Sequence, residues 1–441
     1  AAALGCHSTD SGTIQIIVDD EAGTFTESPA PTELQVLAVQ SADASTVLAT
    51  AQLPTSTIDL GNLDEGAPTV SINVTGYDAT HARRVFGATL PLQYGLLAGQ
   101  TVPVFVQRTG EFARLPGPLS DARQQPTLAI LQGEYLLVAG GTEASWSQTT
   151  QLFDFGAFSA FTNPPTLPTN PDSLALAGTV AWLVNAAGAT YFDFSISEYV
   201  AVPAPAGGSF ADVAGGATIV DDSGVQYIVG ATRMAGAATT SVLKVDPNDA
   251  TDTNYPYGKP TWLTLTTPRL GAAATWVPNR GLVIVGGNTD PSAAGSEVIA
   301  PTTSTGMALP FAADFTMGAG AALLDATHVL LAGGISATLQ DPGTRALDLN
   351  CASLAATCVV PWQPLPVVLA SAQAFTWNGP ADALVVGNEF GSGTTHVFRL
   401  TPMTSTEVPT RTPHANARAV WSPVGSIALF GGSPVIESFT P

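Results

Sequence analysis

In the first quarter of the chain, apolar and polar positions alternate in short runs. Val70, Ile72 and Val74 are separated by Ser71 and Asn73, the two-residue period of a strand with one buried face. Runs of this kind predict strands over 13–18, 33–39, 46–53, 56–60, 69–74, 84–92 and 102–107, with Pro, Gly and Asp turns between them. Seven strands at this spacing predict an all-β domain over 12–108, a small β-sandwich of immunoglobulin-like or transthyretin-like kind. No Cys-Trp-Cys triad is present, so the antibody branch of that architecture is not expected.

From residue 109 onward the pattern changes. An apolar segment running into glycine recurs at 135–141, 227–230, 281–287, 328–334, 383–388 and 427–432, and a degenerate copy stands at 180–185. The spacing is about 50 residues, the length of one supersecondary unit in a repeat array. Ahead of three copies lies an Ala-rich segment closing on Trp276, Trp377 or Trp421, then a turn with Pro278, Gly379 or Pro423, as a hairpin needs. Fourth segments open on Trp262 and Trp362.

This double glycine after a strand resembles kelch repeats. The resemblance covers about three quarters of the chain and implies a seven-bladed β-propeller over 109–441. Blades converge on an axis, so inner strands favour Ala and Gly, while Trp and Leu fill the space between sheets. The last copy runs out after its third strand. The segment 111–115, with Phe112 in the Trp position, is expected to supply the missing fourth strand and close the ring. Six blades would follow if the copy around Trp182 were an insertion.

Charge narrows the partners. The chain has 35 acidic and 14 basic side chains, a formal charge of −21, and only Lys244 and Lys259 are lysines. That balance argues against nucleic acid, whose phosphates are held by Lys and Arg clusters. With 45% hydrophobic residues the chain is not a disordered polyelectrolyte.

Candidate chemistry is sparse. Some kelch-like propellers are copper oxidases, but His7, His81, His328, His396 and His414 are scattered singly, so no metal centre is expected. Asp19, Asp20, Glu21, Asp64, Glu65, Asp221 and Asp222 fall at predicted turns and read as solvated charge. The run holding Asp246, Asp249 and Asp252 crowds oxygen ligands and is the one place where Ca²⁺ comes into question, although it lacks EF-hand spacing. No glycine pair leads into a helix, so no phosphate loop is present. Cys351 and Cys358, with no His nearby, suit a small disulfide-closed loop and an oxidising compartment.

At the start, Ala1 to Gly5 followed by Cys6 resembles a bacterial lipobox, which implies residues 1–11 as a tether, Cys6 as lipid anchor and an exported lipoprotein of the outer membrane or cell surface. On a propeller, the loops joining second to third strands and fourth to first strands share one face. Arg123, Trp146, Arg233, Arg269, Asn288, Asp290, Asn388 and Glu389 fall in or beside such loops and form the candidate binding face. The reading is a non-enzymatic binding or assembly module for a protein or glycan at the cell envelope, its membrane contact confined to the lipid. A carbohydrate-active enzyme and a structural subunit of a surface filament or envelope complex stay open as alternatives.

Overall fold

The structure is a computed structural model. It describes residues 11–441 apart from 19–20, 22, 42–43, 63–68, 94–99, 144, 146–148, 162–165, 178–179, 194–195, 197, 354–357 and 378. Nearly all regular structure is strand; the described helices are two 3₁₀ turns, Phe210–Asp212 and Gly230–Thr232. No helix among the described residues is long and apolar enough to cross a membrane.

The N-terminal region forms one connected eight-stranded sheet from β1 (Ser11–Val18), β2 (Glu33–Ser41), β3 (Ala44–Gln52), β4 (Thr57–Asn62), β5 (Thr69–Tyr77), β6 (Arg83–Ala88), β7 (Leu92–Gln93) and β8 (Thr101–Arg108). The path is β3-β2-β5-β6-β8-β1-β4, with β7 on the start of β5. The predicted strand over 84–92 is thus broken before Pro91, which has no N–H to give to a ladder. β1 pairs with β8 in parallel, Ile14 facing Val102 and Ile16 facing Val104. Alternate residues from β1, β2, β4, β5, β6 and β8 meet in one core of Ile14, Leu34, Val36, Ile58, Ile72, Val74, Val85 and Val104, so the sheet coils around its own apolar face.

Seven four-stranded sheets follow. Blade 1 spans 127–160, blade 2 173–202, blade 3 217–269, blade 4 273–309, blade 5 317–361 and blade 6 369–407; blade 7 takes 418–439 and a strand from the other end of the chain. The copy around Trp182 is a complete blade, so the count is seven. First strands of successive blades touch from blade 1 to blade 6. The first strand of blade 7 (Arg418–Trp421) lies against both blade 6 and blade 1, and the ring closes.

Closure uses β9 (Phe112–Arg114) as the fourth strand of blade 7. Glu437 faces Arg114, Ser438 faces Ala113 and Phe439 faces Phe112. The last two rings are buried with centroids 5.4 Å apart. The N-terminal sheet is seated on this blade: Gly110 N donates to Thr440 O at 2.7 Å and Gln107 Nε2 to Ser438 O at 3.0 Å. Around them Arg114 meets Glu21 at 2.8 Å, and Arg411 meets Glu111 at 2.7 Å.

The double glycines are required by the backbone. Gly286 and Gly287 have φ of +76° and +65°, and a Cβ on Gly287 would stand 2.7 Å from Ala272 N and Leu270 O. Interblade contact is largely apolar, with Trp and Tyr at its rim. Tyr227 stacks on Trp276, rings 5.6 Å apart, and Trp262 packs on Phe210. Blade 3 is lengthened by a loop over 247–258, between its third and fourth strands, that reaches back to blade 2. Tyr255 donates to Pro203 O at 3.1 Å, and Tyr257 sits edge-on to Tyr191 and bonds Asp193. Cys351 and Cys358 form a disulfide that pins a blade 5 loop.

Candidate binding face of the propeller

In blades 1, 4 and 7 the segment leading into the blade brings one polar side chain beneath the double glycine. Arg123 Nη1 donates to Gly140 O at 3.2 Å, Arg269 Nη1 to Gly286 O at 2.8 Å, and His414 Nδ1 to Gly431 O at 2.8 Å. A carbonyl only accepts, so Nδ1 of His414 carries the proton. One third-strand position faces these groups, and its chemistry changes from blade to blade. It is Gln151 in blade 1, Glu297 in blade 4, Arg345 in blade 5 and Glu437 in blade 7, each opposite the residue two before the first glycine, or its equivalent.

In blade 4 the result is a fully buried ion pair, Arg269 and Glu297 both 0% exposed. Arg269 uses Nε and Nη2 on Glu297 at 3.2 and 3.0 Å, and spends its other donors on Asn288 Oδ1 and on the carbonyls of Gly286, Ala294 and Gly295. Glu297 accepts Thr266 N and Oγ1 at 2.6 Å, and Thr267 as well. Burial alone would raise the Glu297 carboxyl; hydrogen bonds from Thr266 and Thr267 and the charge of Arg269 hold it below its usual range. Burial lowers Arg269, and Glu297 opposes that shift. In blade 5 the polarity is reversed, Arg345 bonding Asp314 of the preceding connector. In blade 7 His414 lies 3.4 Å from Glu437, both side chains fully buried, while Glu437 caps Arg411 N and Thr412 N.

The predicted face residues divide by burial. Arg123, Arg269, Asn288 and Asn388 are buried within the blades. Arg123 is held by Asp121 at 2.8 Å, and Asn388 bridges Ala417 O and the Thr395 hydroxyl. Asp290 is exposed and caps Ser292, whose backbone and side-chain hydrogen bonds lower its carboxyl. Arg233 is half-buried on the carbonyls of Ala211 and Ala237, and Glu389 accepts the Ser392 hydroxyl at 2.6 Å. Trp146 and Cys6 lie outside the described residues. Asp246, Asp249 and Asp252 each cap their own turn, and among the described residues no group of three His, Cys, Asp or Glu side chains is placed to hold a metal.

Sequence reading missed an apolar arc on the same face. Met234 (43% exposed), Phe315 (38%), Leu339 (53%) and Phe390 (44%) stand on second-to-third-strand loops and a blade connector across blades 3 to 6. The Met234 side chain lies against Gly271 and Gly318, whose missing side chains leave room for it. Each residue stands alone in its loop, and only the ring assembles them. A cavity of about 150 Å³ elsewhere, lined by Glu21, Glu27, Arg108, Phe112 and Arg411, belongs to the seam between the N-terminal sheet and blade 7.

The closed ring makes this chain a seven-bladed β-propeller carrying an additional N-terminal β-sheet. No family model matches it, nor does any curated protein sequence. Among solved structures it is similar to a chain of the mitotic checkpoint complex, at 11% identity and TM-score 0.47, over 76% of this chain and 92% of that one. It is also similar to the β-propeller domain of Myceliophteria thermophila Cps50 (Swd1), at 12% identity and TM-score 0.43, over 74% of this chain and 99% of that one.

Proposed function

We propose that the chain is a non-catalytic binding module, a kelch-like propeller that holds a protein partner through the face bearing Met234, Phe315, Leu339 and Phe390. The observation that carries this reading is that arc: large apolar side chains exposed on one face, on loops that the ring holds in place. The polar groups beneath it, Arg123, Arg269, Asn288, Glu297 and Asn388, are engaged in the fold, which favours binding over turnover at this face.

In the same reading the N-terminal sheet is a spacer of immunoglobulin-like or transthyretin-like kind. Cys6 carries a lipid, and the protein works exported, at the outer membrane or cell surface, where the disulfide persists. The face is tested by photo-crosslinking in cells from a probe at Phe390. A discrete adduct lost in Met234→Glu but kept in Val47→Glu, which alters an exposed residue of β3, is the expected result. No adduct, or equal adducts in both variants, rejects the face. Incorporation of a labelled fatty acid, lost in Cys6→Ala, tests the anchor.

A further inference from the structure

The seven inner strands are built from small, apolar and hydroxyl residues with one glutamine, and Arg418 is the single charged residue in them. It begins the first strand of blade 7, so it stands at the channel mouth on the face described above. Its surroundings set it apart from every other cation in the chain. Ten of the remaining thirteen lie within 4 Å of a carboxylate. The other three, Arg83, Arg233 and Arg280, donate to backbone carbonyls. Among the described residues the Arg418 side chain has one hydrogen bond, from Nη1 to the Ser371 hydroxyl of blade 6 at 3.3 Å.

A guanidinium carries five N–H donors and stays charged. Here it is half-buried, and desolvation holds it below the usual arginine range, with no carboxylate among the described residues to offset the shift. A charge drawn from water without a counter-charge is costly, and among the described residues no carboxylate lies within ion-pair distance of this one. The nearby polar groups are neutral. Gln373 is committed to both backbone groups of Ala419, and Asn416 to Gln124.

We propose that Arg418, with the Ser371 hydroxyl beside it, is an anion site at the mouth of the axial channel, taking a carboxylate through the free edge of the guanidinium. Two parallel N–H groups match the two oxygens of that ligand. The carboxylate comes from a small free acid or from an acidic side chain of a bound protein, and the test separates these sources. The site is independent of the apolar arc and stands whether or not that face holds a partner.

The experiment is calorimetric titration of the full chain with sodium acetate and, separately, with an end-blocked Gly-Glu-Gly peptide, at constant ionic strength. Saturable binding at least tenfold weaker in Arg418→Gln, and partly kept in Arg418→Lys, is expected. Acetate binding as tightly as the peptide assigns the site to free acids; peptide binding alone assigns it to a protein side chain. No saturable binding of either, or the same binding in Arg418→Gln, overturns the proposal. Thermal melting supplies a second readout. Removing an unpaired cation should leave Arg418→Gln at least as stable as wild type, and a large loss would make Arg418 structural and overturn the site.

Discussion

Blades 4 and 7 occupy equivalent places in the ring and fill the same third-strand position with glutamate, yet they hold it differently. Blade 4 is one continuous stretch of chain, and its Glu297 is locked by Arg269 and two threonines with every guanidinium donor used. Blade 7 is assembled from both ends of the chain, and its Glu437 meets the smaller His414 at 3.4 Å and backbone N–H groups. The latch blade therefore depends less on a charged pair than on its ladder with β9 and on the Phe112–Phe439 contact. Where the chain is continuous, polar pairing specifies the blade; where it is not, apolar packing across the junction does that work.

Breaking the apolar junction should have the largest effect. Phe112→Asp puts a carboxylate into a site only 1% exposed and is expected to cost about 5 kcal/mol, read as an early urea transition. Arg269→Met leaves Glu297 buried without its cation and should cost about 3–5 kcal/mol in the same measurement. The Glu297 pair also predicts an acid dependence. Its folded value lies below the ordinary 4.5, so its contribution is complete above that pH and falls away as pH drops through the folded value. Urea melts from pH 7 to pH 3 should show a shallower acid loss in Glu297→Gln than in wild type. Removing the disulfide with Cys351→Ala and Cys358→Ala should cost about 2 kcal/mol, since the loop it closes is short. Lys259→Ala, which breaks an exposed pair with Asp249 at 3.7 Å, should change stability by less than about 0.5 kcal/mol and so marks the floor of the series.

Much of this architecture was legible because backbone geometry forces particular residue types. Gly286 and Gly287 need positive φ beside a crowded strand, and inner strands such as 317–323 need small side chains, so both leave a periodic mark. Phe112 was legible because it stands in a column otherwise filled by Trp. The polar column was not, because Gln151, Glu297, Arg345 and Glu437 share a place without sharing a charge, and no residue type recurs to reveal it. The apolar arc was hidden for another reason: Met234, Phe315, Leu339 and Phe390 are far apart in sequence and reach one face only through the packing of blades 3 to 6. Arg418 stands near the start of an inner strand, as Arg123 and Arg269 do. What distinguishes it is the lack of a carboxylate partner among the described residues, which a sequence does not display.

The strand that completes the ring is also among the first to be made. Roughly 320 residues must be added between Arg114 and Glu437 before the two can meet, about 15–65 s of synthesis at ordinary translation rates. Throughout that interval the nascent chain carries an unmated edge next to an N-terminal sheet that can already coil. Six blades can stack as they emerge, while the seventh waits for the Glu437–Phe439 strand, so synthesis of that strand sets the earliest moment at which the ring can close.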